Sequence, residues 1–275
     1  MRSWLAWLLA LAALAGPAGA QSKVVVLSTT TSTQDSGLLD MLVPLFEKQT
    51  GYSVKTIAVG TGQALALAAR GEADVTLAHA PSLEKKYVQD GKMLNRRLVM
   101  YNDFVIVGPP ADPAGIEGSR RAVEALRRIA AARAPFVSRG DHSGTHALER
   151  GLWTQAGLAP AGAWYAESGQ GMGATLGIAH ERRAYTITDR ATLLAFGRRV
   201  TLPILVEGDR PLLNVYSVME VNPANGTRVN AAGGQAFADF MVSREAQAVI
   251  RTFGVDRYGQ ALFVPIAGKT DADLD

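Results

Sequence analysis

No cysteine occurs at any of the 275 positions. That excludes disulfides, zinc-thiolate centres, a cysteine nucleophile and a lipid-modified N-terminal cysteine. A transferase on a two-lobed scaffold with a Cys-linked cofactor is excluded by the same absence, and no other cofactor is expected. Aromatic residues make up only 7% of the chain and the formal net charge is only +3. The arginine pairs Arg120-Arg121, Arg127-Arg128, Arg182-Arg183 and Arg198-Arg199 have no aromatics between them. They read as solvated helix faces rather than a nucleic-acid stripe, so no nucleic-acid partner is expected. Internal repeats and low-complexity tracts are also missing, and after the first twenty residues no apolar run is long enough to span a bilayer.

What is present begins with Met1-Arg2, an apolar stretch from Trp4 to about Ala15, and then Pro17-Ala18-Gly19-Ala20 before the polar Gln21-Ser22-Lys23. The apolar stretch is too short for a spanning helix, and Ala18-x-Ala20 fits the small-residue cleavage rule. Residues 1–20 are therefore expected to be a signal peptide cut after Ala20, and the mature protein a soluble, periplasmic one without a lipid anchor.

Apolar runs predict strands near Val24–Ser28, Tyr52–Val59, Asp74–His79, Leu98–Val107, Pro135–Ser138, Tyr185–Thr188, Ile204–Val206 and Val215–Val221. Helical spacing of Leu38, Leu39, Leu42, Leu45 and Phe46, and of Leu65, Leu67 and Ala68 before Gly71, places helices between them. Alternating strands and helices predict parallel α/β sheets. Pro44 inside the first helix predicts a kink or a restart there. Two turn-rich breaks, Gly108 to Pro113 and Glu207 to Pro211, suggest that the chain crosses twice between two domains. One would hold residues 21–108 plus 212–275 and the other 109–211, with a hinge and a ligand cleft between them.

Four Gly/Ser/Thr-rich segments stand where an apolar run ends and a helical pattern begins: Thr29 to Thr33, Val59 to Gln63, Ser138 to Thr145 and Gly169 to Gly173. A helix start leaves its first N–H groups unpaired and carries roughly half a positive charge, so several starts on one point would hold an oxyanion without a metal. Thr31-x-x-Gln34 and Ser32-x-x-Asp35 both match a capping box, but a cap uses one hydroxyl and this segment offers five. Arg139 follows a strand and precedes a Gly/Ser/Thr loop, which aims a permanent cation and its planar fork at backbone donors; the competing use is an ion pair to Asp141 or Glu167.

Other chemistries fit less well. Gly60-Thr61-Gly62 lacks the third glycine of a dinucleotide fingerprint, since Leu65 stands there, and no Gly-Lys-Ser/Thr follows. Asp141, His142, Ser143 and His146 include the residue types of a hydrolase triad, yet neighbours in one loop rarely align a base with a nucleophile, and no Gly-x-Ser-x-Gly elbow is present. A secreted serine hydrolase using Ser143 and His146 is the rival from another class. His142 and His146 lack a third metal ligand, so no metal site is expected.

Five stretches, Thr29 to Leu39, Ala58 to Ala64, Met100 to Pro109, Ser138 to His146 and Gly169 to Gly173, resemble the tungstate-binding proteins of ABC transporters, in the family's order and over about residues 23–266. Tyr185 to Arg190 fits more weakly, and Ala191 stands where the pattern has glycine. The resemblance implies a two-lobed type II periplasmic binding fold with parallel-rich sheets joined by two crossing strands. It implies no enzyme activity, a monomer, and one tungstate or molybdate oxyanion in the cleft, with a membrane permease and an ATPase as partners. Carried over, the ligand residues are Thr30, Thr31, Ser32, Thr61, Arg139, Ser143, Gly144 and Thr145, with backbone N–H groups near Gly171. Sulfate or phosphate is the alternative anion. Phosphate keeps a proton and wants an acceptor, which Asp141 or Glu167 would have to supply.

Overall fold

The computed structural model describes residues 23–274, so the expected signal peptide and its cleavage point lie outside the described residues. Strand β1 (Val24–Thr30) leads directly into a single helical turn, α1 (Thr31–Asp35), and then α2 (Leu39–Thr50). Leu39, Leu42 and Phe46 form the buried stripe of α2, and Gly51 ends it in the left-handed region at φ 72°. The helix runs through Pro44 without the expected restart. Pro44 and Asp40, whose carbonyl loses its usual partner, both lie on the exposed face, where that carbonyl can take water. The interruption falls earlier, at Gly37, with φ 80°.

The chain continues through β2 (Ser53–Val59), α3 (Thr61–Ala69), β3 (Val75–Ala78) and α4 (Pro81–Gln89) to the long strand β4 (Met93–Val107). Then come α5 (Ala122–Ala132), β5 (Phe136–Ser138), α6 (Gly144–Gln155), β6 (Tyr165–Glu167), α7 (Met172–Arg182), β7 (Thr186–Asp189) and α8 (Arg190–Phe196). Strands β8 (Ile204–Val206) and β9 (Leu213–Val221), helices α9 (Ala231–Met241) and α10 (Arg244–Thr252), and the short β10 (Val264–Pro265) complete the regular elements used below.

The main sheet is mixed, in the order β10-β4-β9-β3-β1-β2, with β7 and β8 also on β4; β5 and β6 form a separate parallel pair. Parallel pairing, expected to predominate, holds for β1 with β2 and β3 and for β5 with β6. The two crossing strands run antiparallel to their neighbours. Strand β4 pairs with β9 as far as Asp103 and with β7 from Phe104 onward, so one strand serves both halves of the molecule. Each half has its own apolar core: Val25, Leu27, Leu42, Phe46 and Phe237 centre one, and Ile106, Leu126, Phe136, Trp153 and Tyr185 the other. The result is the two-lobed type II binding-protein architecture, with the carboxyl ends of β1, β2, β5 and β6 leading into the loops that the sequence singles out. In open α/β sheets that edge is where ligands sit.

Candidate functional site

The four loops converge. On one side, the Gly144 N–H donates to the Thr61 hydroxyl at 3.2 Å, and a methyl placed on Gly62 would lie 3.3 Å from the His142 carbonyl. On the other, Arg139 Nη2 donates to the Thr31 hydroxyl at 3.3 Å, and a methyl on Gly171 would lie 3.2 Å from the same Thr31 oxygen. Strand β5 ends at Ser138 and the chain then turns through Gly140 at φ 61° and His142 at φ 57°. Gly140 is required there twice over, by its left-handed backbone and because any Cβ would sit 2.6 Å from Glu167 Cβ.

Several hydroxyls are oriented by the framework. Thr31 accepts from Arg139, Thr61 from the Gly144 N–H, and Ser143 from the His146 N–H as the cap of α6 at 3.3 Å. A hydroxyl whose oxygen already accepts keeps its own proton to donate, so all three are set as donors. Two further groups are buried with no hydrogen-bond partner, Arg139 Nε and Thr145 Oγ1. An unpaired buried donor costs about 1–3 kcal/mol, a penalty that an anion in the cleft removes.

Arg139 is only 2% exposed and pairs through Nη2 with Asp141 Oδ2 at 2.5 Å. The ion pair weighed from the sequence is therefore present together with the contact to Thr31. Asp141 Oδ1 accepts the Ser143 N–H at 3.1 Å, so both carboxylate oxygens are engaged in holding donors in place. Glu167 is exposed. The carboxylate paired with Arg139 is already engaged by two donors, and a fully deprotonated anion makes no further demand on it.

Thr29 donates to the Leu77 carbonyl at 2.9 Å, and Thr30, the residue before the first capping-box match, caps α1 by accepting from the Thr33 N–H at 3.3 Å. Ser32 lies 3.1 Å from His79 Nε2. At the start of α7 the Gly173 N–H is taken by the carboxylate of Asp35, whose pKa burial raises against the opposing pull of that N–H and of Arg139. Asp35 thus ties α1 to α7.

The geometry lends a hydrolase reading no support. Ser143 bonds the His146 backbone and not its ring, while His146 Nδ1 accepts from the His142 N–H at 3.1 Å. That leaves the proton on Nε2, so the imidazole has no lone pair for a general base. Among the described residues no group of three or more His, Asp or Glu could hold a metal ion.

The sequence did not point to the polar residues behind the cage. His79 directly follows β3, Asn102 and Asn214 face each other on β4 and β9, and Tyr216 and Asp189 join them in a fully buried network. The signal available was position, because His79 is a polar residue at the carboxyl end of a strand. Ala191, where glycine was expected, packs fully buried in the first turn of α8. Arg190 beside it pairs with Asp103 and Glu207.

Residues 16–245 match the family model described as the PBP superfamily domain. The chain is 47% identical over 247 residues to the tungstate-binding protein TupA of Peptoclostridium acidaminophilum, covering 89% of this chain and 86% of that one. Among solved structures, the tungstate ABC transporter protein from Geobacter sulfurreducens superposes with a TM-score of 0.77 at 50% identity, covering 84% of this chain and 98% of that one. The tungstate-binding protein TupA from Desulfovibrio alaskensis G20 gives 0.73 at 44% identity, covering 89% and 99%.

Proposed function

The chain belongs to the tungstate-binding proteins of ABC transporters, within the periplasmic-binding-protein superfamily, and from that premise we propose that it captures tungstate between its lobes and delivers it to a membrane permease and its ATPase. The observation that carries the reading is the pair of buried, unpartnered donors, Arg139 Nε and Thr145 Oγ1, among loops whose other hydroxyls are already turned to donate. Tungstate carries no proton at neutral pH, so an all-donor shell suits it. Arg139, Thr31, Thr61, Ser143 and Thr145 side chains, with N–H groups of the Gly171 turn, form the shell in this account, and the Gly144 N–H holds Thr61 in place for it. Ser32 adds its hydroxyl from the α1 turn.

One lobe would comprise residues 21–108 and 212–275 and the other 109–211, hinged at β4 and β9. The protein acts as an exported monomer, guided by residues 1–20, and performs no catalysis. Among the described residues no helix is long and apolar enough to cross a membrane.

A thermal-shift panel of tungstate, molybdate, sulfate and phosphate tests the reading. An anion present at a thousand times its dissociation constant stabilises the protein by about 4 kcal/mol. Tungstate is expected to do so and phosphate to leave the melting curve unmoved. Stabilisation by phosphate alone would overturn the choice of ligand.

A further inference from the structure

Behind the hydroxyls of the α1 turn lies an imidazole that the anion shell does not use. His79 is 4% exposed and packs between the rings of Tyr216 and Phe104, with centroids 4.8 and 6.2 Å away. Its Nε2 is 3.1 Å from Ser32 Oγ and 3.2 Å from Thr30 Oγ1. The side-chain amide of Asn214 also lies near the ring.

The direction of the bonds follows from the far end. Asp189, fully buried, accepts from Asn102 Nδ2 at 3.4 Å, which leaves Asn102 Oδ1 to accept from Asn214 Nδ2 at 2.7 Å. The Asn214 amide then offers the ring only its oxygen, and Asn214 Oδ1 and His79 Nδ1 are both buried with no hydrogen-bond partner in the structure. An amide oxygen needs a donor, so His79 carries its proton on Nδ1 and presents a lone pair at Nε2. Burial keeps the ring neutral, lowering its pKa to about 4, with the Arg139 charge acting in the same sense.

The lone pair faces two hydroxyls, Thr30 and Ser32, whose oxygens lie 3.1 Å from each other. Thr30 accepts the Thr33 N–H at 3.3 Å and lies 2.7 Å from the Thr33 hydroxyl, so the hydroxyls of the α1 turn form one hydrogen-bonded chain that ends at the ring. The Tyr216 hydroxyl accepts from Asn214 Nδ2 at 3.1 Å.

Resting on the tungstate-receptor reading, we propose that His79 is a positioning residue for the anion, set beside Asn214 and Asn102 on the two crossing strands, which holds the Ser32 hydroxyl, with Thr30 next to it, in place from behind.

Two measurements test this. In the parent protein without ligand, 15N spectra of labelled histidine at pH 7 should show His79 protonated on Nδ1 with Nε2 bare; a proton on Nε2 overturns the relay whether or not tungstate binds. By calorimetry, His79→Phe should weaken tungstate about tenfold, the scale of one bond to a charged ligand, and His79→Gln, whose amide oxygen can replace Nε2 as acceptor, should recover most of it. On a Ser32→Ala background His79→Phe should cost nothing further. Unchanged affinity in His79→Phe, or a full additional loss on that background, contradicts the positioning role. Failure of the parent to bind tungstate strikes the receptor reading, and the spectrum still decides the relay.

Discussion

Arg139 Nη2 hydrogen-bonds Thr31 Oγ1 at 3.3 Å, and this single contact joins the loop after β5 to the turn after β1. It brings a buried cation of one lobe against a hydroxyl of the other. Together with the bond from Gly144 to Thr61 and that from Gly173 to Asp35, it closes the cleft around the proposed anion position.

Closure of this kind draws on donors from both lobes, and the proposed hinge is at the crossing strands. Small-angle scattering should show a smaller radius of gyration when tungstate is added. An unchanged radius would mean that the anion is bound without drawing the lobes together.

Gly144 is a second point of contact. A methyl there would stand 3.1 Å from both Thr61 Oγ1 and the His79 carbonyl, so Gly144→Ala pushes the two loops apart at the bond they share. Loss of one charge-assisted hydrogen bond is about 1.5–3 kcal/mol, so tungstate affinity should fall at least about tenfold. Alanine is the better helix former, so the apo melting temperature should change little. Parental affinity by calorimetry would show that the approach of these loops is immaterial to binding.

The pH dependence of folding tests the buried network. Burial, opposed by the Thr192 bonds and Arg139, raises the Asp189 carboxyl from 3.8 to about 6. Its proton is held more tightly in the folded protein, so its contribution favours folding at low pH and is lost as pH rises from about 4 to 6. His79 is lowered from 6.5 to about 4, so its contribution is complete above 6.5 and is lost as pH falls. Each is worth about 3 kcal/mol and the two slopes oppose. Relative to the parent, Asp189→Asn should gain stability as pH rises from 4 to 6.5, and His79→Phe should lose it over the same range. Parallel urea-unfolding curves for all three proteins would contradict both assignments.

Much of this was legible in the chain. The apolar runs place eight strands within a few residues of their observed positions, because strand ends are marked by the glycines and hydroxyls that begin the next helix. Strands β6 and β10 escaped because Tyr165-Ala166-Glu167 and Val264-Pro265 form no apolar run, unlike the equally short β5 and β8. The antiparallel course of β4 and β9 was hidden, since an apolar run has no direction until its partner is known. Arg139 stood out through its neighbours in sequence. His79, Asn102 and Asn214 did not, because they are brought together only by the pairing of β9 with β3 and β4.

Calorimetric titration of tungstate into the parent protein and into Arg139→Ala and Arg128→Ala tests the central claim most directly. Arg128 bonds the Gly115 carbonyl on the surface, whereas Arg139 is buried among the four loops. The parent and Arg128→Ala should bind one tungstate per chain with equal affinity, and Arg139→Ala should bind at least about a hundredfold more weakly, since two charge-assisted bonds are lost. Equal affinities for all three, or no binding by the parent, would contradict the account.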